Sequence, residues 1–209
     1  MSQLHLDRLH SRPISWSNIS SWEYDKKQWA RKYLDLIKDP PSREMVFGSM
    51  IGKKLETDPT FLPQIERHSK MEHEFKASIS GITLIGYADT FCDVTHTKLG
   101  EFKTGKKAWD QKRVDEHRQI TMYCLMNFIA MKVKPEDVEI KLWWMPTVEL
   151  EDFSIAFVEP IEENIRSFTT QRTMKDILHF AAYIKKVYAE MEEYALSYQQ
   201  PKEHASMVQ

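Results

Sequence analysis

The sequence predicts a mixed β-sheet flanked by helices, in an α/β or α+β arrangement. Three observations carry the prediction: a meander of short strands from Met71 to Thr104, helical spacing on both sides of it, and a long amphipathic pattern near the C-terminal end.

Each element follows from its own pattern. The spacing of Trp22, Trp29, Tyr33, Leu34 and Ile37 predicts one helix over residues 17–37, capped by Ser17 or Ser20 and ended before Pro40-Pro41. A second helix is expected from about Glu44 to Glu56, stopping at Asp58-Pro59. Gly48 and Gly52 fall on one face of it. A glycine costs about 1 kcal/mol relative to alanine inside a helix, so these two are read as serving close packing. Phe75–Ile79 alternates, Ser80-Gly81 reads as a turn, and Ile82–Tyr87 as a strand. Short strands are expected at Phe91–Val94 and Leu99–Lys103, with a polar turn at Thr95–Lys98 between them. Residues 111–132 return to helical spacing, and Pro135 marks the stop. Further strands are expected at Val138–Met145 and near Phe153–Val158 and Ile165–Thr169. The closing helix buries a stripe of Met174, Ile177, Leu178, Ala181, Ile184, Val187, Met191 and Tyr194. Of Trp143 and Trp144, one ring is expected in the core and the other at a surface or interface. One domain is expected over residues 1–198, with a helical segment at about 14–57 and a polar tail at 199–209.

Composition narrows the function classes. In 209 residues, 42% are hydrophobic and 29% charged, the profile of a globular domain with a real core. The net charge of −2 gives no global attraction for a polyanion, so nucleic-acid contact must come from local basic patches. Two cysteines, Cys92 and Cys124, exclude a disulfide framework and a four-cysteine metal cage within one chain, and fit a reducing, cytoplasmic setting. No secretory signal is read in the first 13 residues. No stretch approaches the roughly 20 apolar residues of a membrane helix, so no membrane partner is expected. His68, His73, His96 and His117 lack the paired spacing of a zinc site, and no phosphate loop for ATP or nucleophile elbow is present.

The chemistry-bearing stretch is Gly86-Tyr-Ala-Asp89, followed by Gly100-Glu-Phe-Lys-Thr-Gly-Lys106. Glu101 and Lys103 are two apart on a strand, so they share one face while Phe102 points to the other. With the turn centred near Thr97, Asp89 falls on that same face, close to Lys103; a single bulge would shift this register. Two carboxylates beside a lysine suit metal-assisted phosphodiester hydrolysis, the carboxylates holding Mg²⁺ or Mn²⁺. The lysine orients the attacking water or stabilises the transition state; with a lowered pKa it would act as a base. Downstream, Gln119 and Tyr123 sit one helical turn apart on one face.

In this order, Gly48…Glu56, Gly86-Tyr-Ala-Asp89, Glu101-Phe-Lys103-Thr-Gly-Lys106 and Gln119-Ile-Thr-Met-Tyr123 resemble the RecB-like branch of the PD-(D/E)xK nucleases, over roughly residues 14–195. The opening Ile14-Ser-Trp-Ser17…Tyr33-Leu34 is similar to that family's N-terminal helical segment. The resemblance implies a restriction-endonuclease-like core and a metal-dependent deoxyribonuclease. It implies Asp89 and Glu101 as metal ligands and Lys103 as the catalytic lysine. Gln119 and Tyr123 would contact the DNA backbone or support the residues that do. Two departures matter. Many members place a metal-binding histidine four residues after the first-helix glycine, where this chain has Gly52; Glu56 is either a substitute carboxylate or a solvated helix-end residue. Members with an iron–sulfur cluster use four cysteines, which this chain lacks.

Lys106 and Lys107, with Lys112 and Arg113, make the loop after the catalytic strand basic, suited to tracking phosphates. Trp109 there either stacks on a base or packs as a lid on the next helix. Lys26, Lys27, Arg31 and Lys32 read as a solvated helix face. The leading expectation is an exonuclease of recombination or repair, by its resemblance of phage or host type. Such enzymes often form ring-like homo-oligomers, and a single-strand annealing protein or another recombination factor is a candidate partner. The alternatives are a structure-selective endonuclease or a catalytically inactive DNA-binding module.

Overall fold

The strands that the alternation predicts pair into one six-stranded sheet. The structure is a computed structural model and describes residues 2–199; the polar tail expected at 199–209 lies outside the described residues save Gln199. Four helices open the chain: α1 (Ser2–His10), α2 (Trp16–Tyr24), α3 (Lys26–Tyr33) and α4 (Arg43–Thr57). Strands β1 (Lys70–Ile79), β2 (Ile82–Phe91) and β3 (Lys98–Gly105) follow, then α5 (Gln111–Asp115) and α6 (Arg118–Met131). The chain continues through β4 (Glu139–Glu149), β5 (Ile155–Phe157), α7 (Ile161–Asn164), β6 (Arg166–Thr170) and α8 (Met174–Ser197). The sheet order is β1-β2-β3-β4-β5, with β6 also paired to β4. Only β3 and β4 run parallel; the other pairs are antiparallel. A parallel pair needs a crossover, and α5 and α6 supply it.

Two cores sit on opposite faces. The larger gathers Trp29, Leu34, Phe75, Leu84, Leu99, Met122 and Ile184 between the sheet and the layer containing α6 and α8. The smaller joins Ile51 and Leu55 of α4 to Trp143 and Met145 of β4 and Ile161 of α7. Adjacent tryptophans divide as strand alternation requires: Trp143 is buried, while Trp144 is half-buried and donates Nε1–H to the Gly105 carbonyl at 3.0 Å.

Several expectations need correction. The helix expected over 17–37 is two helices, capped at Ser15 rather than Ser17 or Ser20. Asp25 breaks it: its backbone is extended, its N–H closes α2 on Ser21, and its carboxylate accepts from Lys27 N and Gln28 N at 2.8 and 3.1 Å. Beyond Leu34 the chain leaves the helix, with Leu36 in the left-handed region at φ 65°. Helix α1 escaped the pattern reading because little of it is apolar; it docks through Leu9 and the buried His5. The strand expected at Phe91–Val94 is the end of β2 followed by a turn that His96 N–H closes on the Cys92 carbonyl at 2.8 Å.

The helix expected over 111–132 breaks between Asp115 and Arg118. There the buried Arg172 guanidinium bonds the carbonyls of Val114 and His117 at 3.0 and 3.3 Å, a partner from far along the chain. In α8 the buried stripe is Ile177, Phe180, Ile184, Val187, Met191 and Ala195, and Leu178 is 59% exposed.

Candidate active site

The site lies where the sheet forks. Strands β2 and β3 pair at only two rungs, Thr90↔Gly100 and Phe91↔Leu99, and then separate. Further along, the free edge of β2 is taken by Ile14, whose N–H bonds Thr83 O at 2.8 Å and whose carbonyl accepts from Ile85 N at 2.9 Å. Backbone groups between these points still need partners. Side chains provide two of them: Asp89 Oδ2 accepts from Phe102 N, and the Tyr123 hydroxyl donates to Tyr87 O, each at 2.5 Å.

This register corrects the sequence reading. The turn is centred on Thr95 rather than Thr97, so Asp89 faces Glu101, not Lys103. The alternation also lapses here. The β1–β2 ladder is continuous from Lys70↔Phe91 to Ile79↔Ile82 except at one rung, Glu72 opposite Asp89. Glu72 has φ 49°, an uncommon value for a non-glycine residue.

The structure brings Asp89, Glu101, Lys103 and Gln119 together. Glu101 is 2% exposed; its Oε1 accepts from Lys103 Nζ at 2.5 Å, and its Oε2 has no partner. Lys103 Nζ also donates to Gln119 Oε1 at 2.9 Å. Donor roles are fixed along this chain. Tyr123 has a single hydroxyl proton, committed to the Tyr87 carbonyl, so at 2.6 Å it must accept from Gln119 Nε2. The Gln119 oxygen then faces the ammonium. This arrangement requires a residue without a side chain at Gly86, where a Cβ would lie 2.7 Å from the Tyr123 ring and 2.8 Å from Met126 Cε.

Burial, and then the Glu101 charge, push the Asp89 carboxyl up to about 8, against the pull of Lys103 and the Phe102 N–H. Burial likewise raises Glu101, with Lys103 opposing. For Lys103 burial works downward, but Glu101 and Asp89 outweigh it and hold the ammonium above its ordinary value. Without a cation in the site, this balance favours the charged ammonium over the base role left open for this lysine.

The other expected site residues divide. Glu56 reaches the mouth of the same cleft, about 470 Å³ between α4 and the strands, but its carboxylate pairs with Lys53 at 2.8 Å. Tyr123 is 2% exposed, too buried to meet a DNA backbone, and its hydroxyl contacts Gln119 instead. Lys106 pairs with Glu149 at 2.5 Å. Lys107 is exposed and lines a separate cleft with Trp109, Lys112, Arg113 and Arg118. Trp109 is half-buried, edge-on to His117 at 4.9 Å with the Arg113 guanidinium 3.9 Å from its ring, which is the lid packing rather than a free stacking face. Phe102, expected on the face opposite Glu101 and Lys103, is half-buried against Trp143 and lines the site cleft. Gly48 and Gly52 of α4 line it too; a Cβ at Gly48 would meet Thr104 Oγ1 at 3.2 Å. Glu72 was missed, although counting back from the Ser80-Gly81 turn puts it opposite Asp89.

The pair Asp89–Glu101 fits a hard divalent cation. Its donors are carboxylate oxygens, Glu101 Oε2 is buried without a partner, and Asp89 Oδ1 carries no hydrogen bond among the described residues. Among the described residues, no three His, Cys, Asp or Glu side chains form a ready-made cage. Water and a substrate oxygen would complete the shell, as is usual for Mg²⁺.

No family model matches the chain, and no curated protein is significantly similar to it. Among solved structures, a protein from Eubacterium rectale provisionally described as an exonuclease is similar over 88% of this chain and 82% of its own, with a TM-score of 0.53 and 9% identity. An alkaline exonuclease from Laribacter hongkongensis aligns over 93% of this chain and 94% of its own at 11% identity, with a TM-score of only 0.46. The first likeness establishes a shared fold: a mixed α/β architecture with a mostly antiparallel sheet flanked by helices. No helix among the described residues is long and apolar enough to cross a membrane.

Proposed function

We propose that this chain is a divalent-cation-dependent nuclease that hydrolyses phosphodiester bonds in DNA, an exonuclease of recombination or repair. The observation that carries the reading is the gathering of Asp89, Glu101 and Lys103 in the fork of the sheet, with Gln119 fixing the lysine. The resemblance of the motif series to RecB-like nucleases and the fold shared with the Eubacterium rectale protein support it.

Asp89 and Glu101 would hold Mg²⁺ or Mn²⁺, which supplies polarisation of the scissile phosphate and a more acidic bound water. Asp89 divides its work, with one oxygen on the Phe102 amide and the other open to the cleft. Lys103 spends two of its three N–H bonds on Glu101 and Gln119. The third is left for a phosphate oxygen or the attacking water, and the charged ammonium stabilises negative charge as it develops. Gln119, locked by Tyr123, keeps the ammonium from turning toward its carboxylate partner alone. Lys107, exposed at the edge of its cleft, would meet the DNA backbone.

Digestion of end-labelled linear DNA with Mg²⁺ or Mn²⁺, with and without EDTA, tests the reading. Stepwise shortening that EDTA stops is expected. Cutting of closed circular DNA would make it an endonuclease instead. Tight binding without cleavage of any end structure would leave an inactive binding module. A ring-like assembly and an annealing-protein partner belong to the same proposal; light scattering tests the first.

A further inference from the structure

We propose that Glu72 is a third acidic residue of the cation site, holding the ion through a bridging water from the β1 side. The inference rests on the nuclease reading for the presence of the cation.

The sheet register sets Glu72, Asp89 and Glu101 in one row across three adjacent strands. Pairing lapses in this row on both sides of Asp89: the Glu72–Asp89 rung is the one gap in the β1–β2 ladder, and the β2–β3 ladder stops one rung short of Asp89–Glu101. A row of three carboxylates is electrostatically unfavourable, and like charges opposite each other on paired strands destabilise a sheet. The acids alone would prove nothing. The buried Oε2 of Glu101, at the far end of the row and without any hydrogen-bond partner, is the independent sign that a ligand belongs there.

Glu72 is available for the task. It makes no hydrogen bond or ion pair among the described residues, whereas the nearby Glu56 and Lys53 satisfy each other at 2.8 Å. Its Oε1 lies 3.9 Å from where a Cβ on Gly52 would stand, so the bare face of α4 leaves space for the carboxylate beside the cleft. Glu72, Asp89, Gly52 and Lys103 all line that cleft. Since no three acidic groups among the described residues approach closely enough to ligate one ion directly, the Glu72 contact is assigned to a metal-bound water. Mg²⁺ keeps several of its waters when bound by one or two carboxylates.

The test is a calorimetric titration of Mn²⁺ into metal-free wild type, Glu72→Gln and Glu74→Gln, with the Mn²⁺-induced rise in Tm as a second readout. Glu74 lies on the same strand, and its carboxylate accepts from Tyr87 OH at 2.8 Å, so it controls for loss of one nearby charge. Glu72→Gln is expected to bind Mn²⁺ about tenfold more weakly, the scale seen for outer-shell partners of metal ligands, with a smaller rise in Tm. Glu74→Gln should match wild type. Equal affinities for wild type and Glu72→Gln would overturn the assignment of Glu72 and leave the nuclease reading standing. So would an equal weakening in both variants, which would mean a general field effect. No Mn²⁺ binding by wild type would overturn both.

Discussion

Tyr123→Phe isolates the hydrogen-bond relay beneath Lys103 without changing the packing. The ring stays against Gly86 and stacked on Phe75, 5.9 Å between centroids, so only the hydroxyl is lost. Two bonds go with it: the 2.5 Å bond to the Tyr87 carbonyl and the 2.6 Å bond from Gln119 Nε2. The carbonyl lies in the fork, where β3 has already left β2. A buried polar group without a partner costs about 1–3 kcal/mol, so a loss of about 2 kcal/mol is expected. For a chain of this size that lowers Tm by about 4–8 °C. The Gln119 NH₂ then loses the acceptor that anchors it, so its oxygen is held on the ammonium less firmly. Nuclease kcat should fall roughly tenfold to a hundredfold with KM little changed, as for loss of an outer partner in a catalytic centre. Thermal unfolding and a kcat–KM series on end-labelled DNA read the two effects separately. A variant within about 1 °C of wild type and equally active would refute the relay.

Three further outcomes follow from the site. In metal-free protein, folded Asp89 keeps its proton up to about 8 while the unfolded chain releases it in the ordinary carboxylate range. The folded state therefore binds more protons between those limits, and its stability should fall as pH rises through that window. Asp89→Asn, which can still accept from the Phe102 amide, should flatten this slope in denaturant melts with EDTA. Lys103→Ala is expected to abolish cleavage and, by stranding the buried Glu101 charge, to cost on the order of 3 kcal/mol at pH 8. The loss should shrink at pH 5, where Glu101 more readily takes up a proton, and Glu101→Gln with Lys103→Met should recover much of it; equal losses at both pH values would contradict the buried-pair account. Lys107→Ala should weaken DNA binding and reduce the slope of log affinity against log salt by about one, measurable by fluorescence anisotropy.

What the sequence revealed was what local pattern encodes. The Ser80-Gly81 turn, the Glu101–Lys103 face and the i, i+4 pairing of Gln119 with Tyr123 were visible because each depends on neighbours a few residues away. The failures share a different cause. The break between α5 and α6 depends on Arg172, and the burial of Tyr123 depends on Gly86 and the Tyr87 carbonyl. Asp89 was misplaced by two residues because the β2–β3 turn was taken to centre near Thr97, whereas the two rungs that form centre it on Thr95. Asp25, by contrast, was legible in principle: a residue type that favours caps stood in the middle of the expected helix.

The bare face of α4 ties the width of the cleft to the firmness of its wall. Two glycines within one 15-residue helix forfeit about 2 kcal/mol of intrinsic helicity, which Ile51 and Leu55 must restore by anchoring in the smaller core. Amide hydrogen exchange along that wall should accordingly follow the integrity of Trp143 and Met145 rather than that of the larger core. Filling the gap with alanine would exchange a more rigid helix for a narrower entrance.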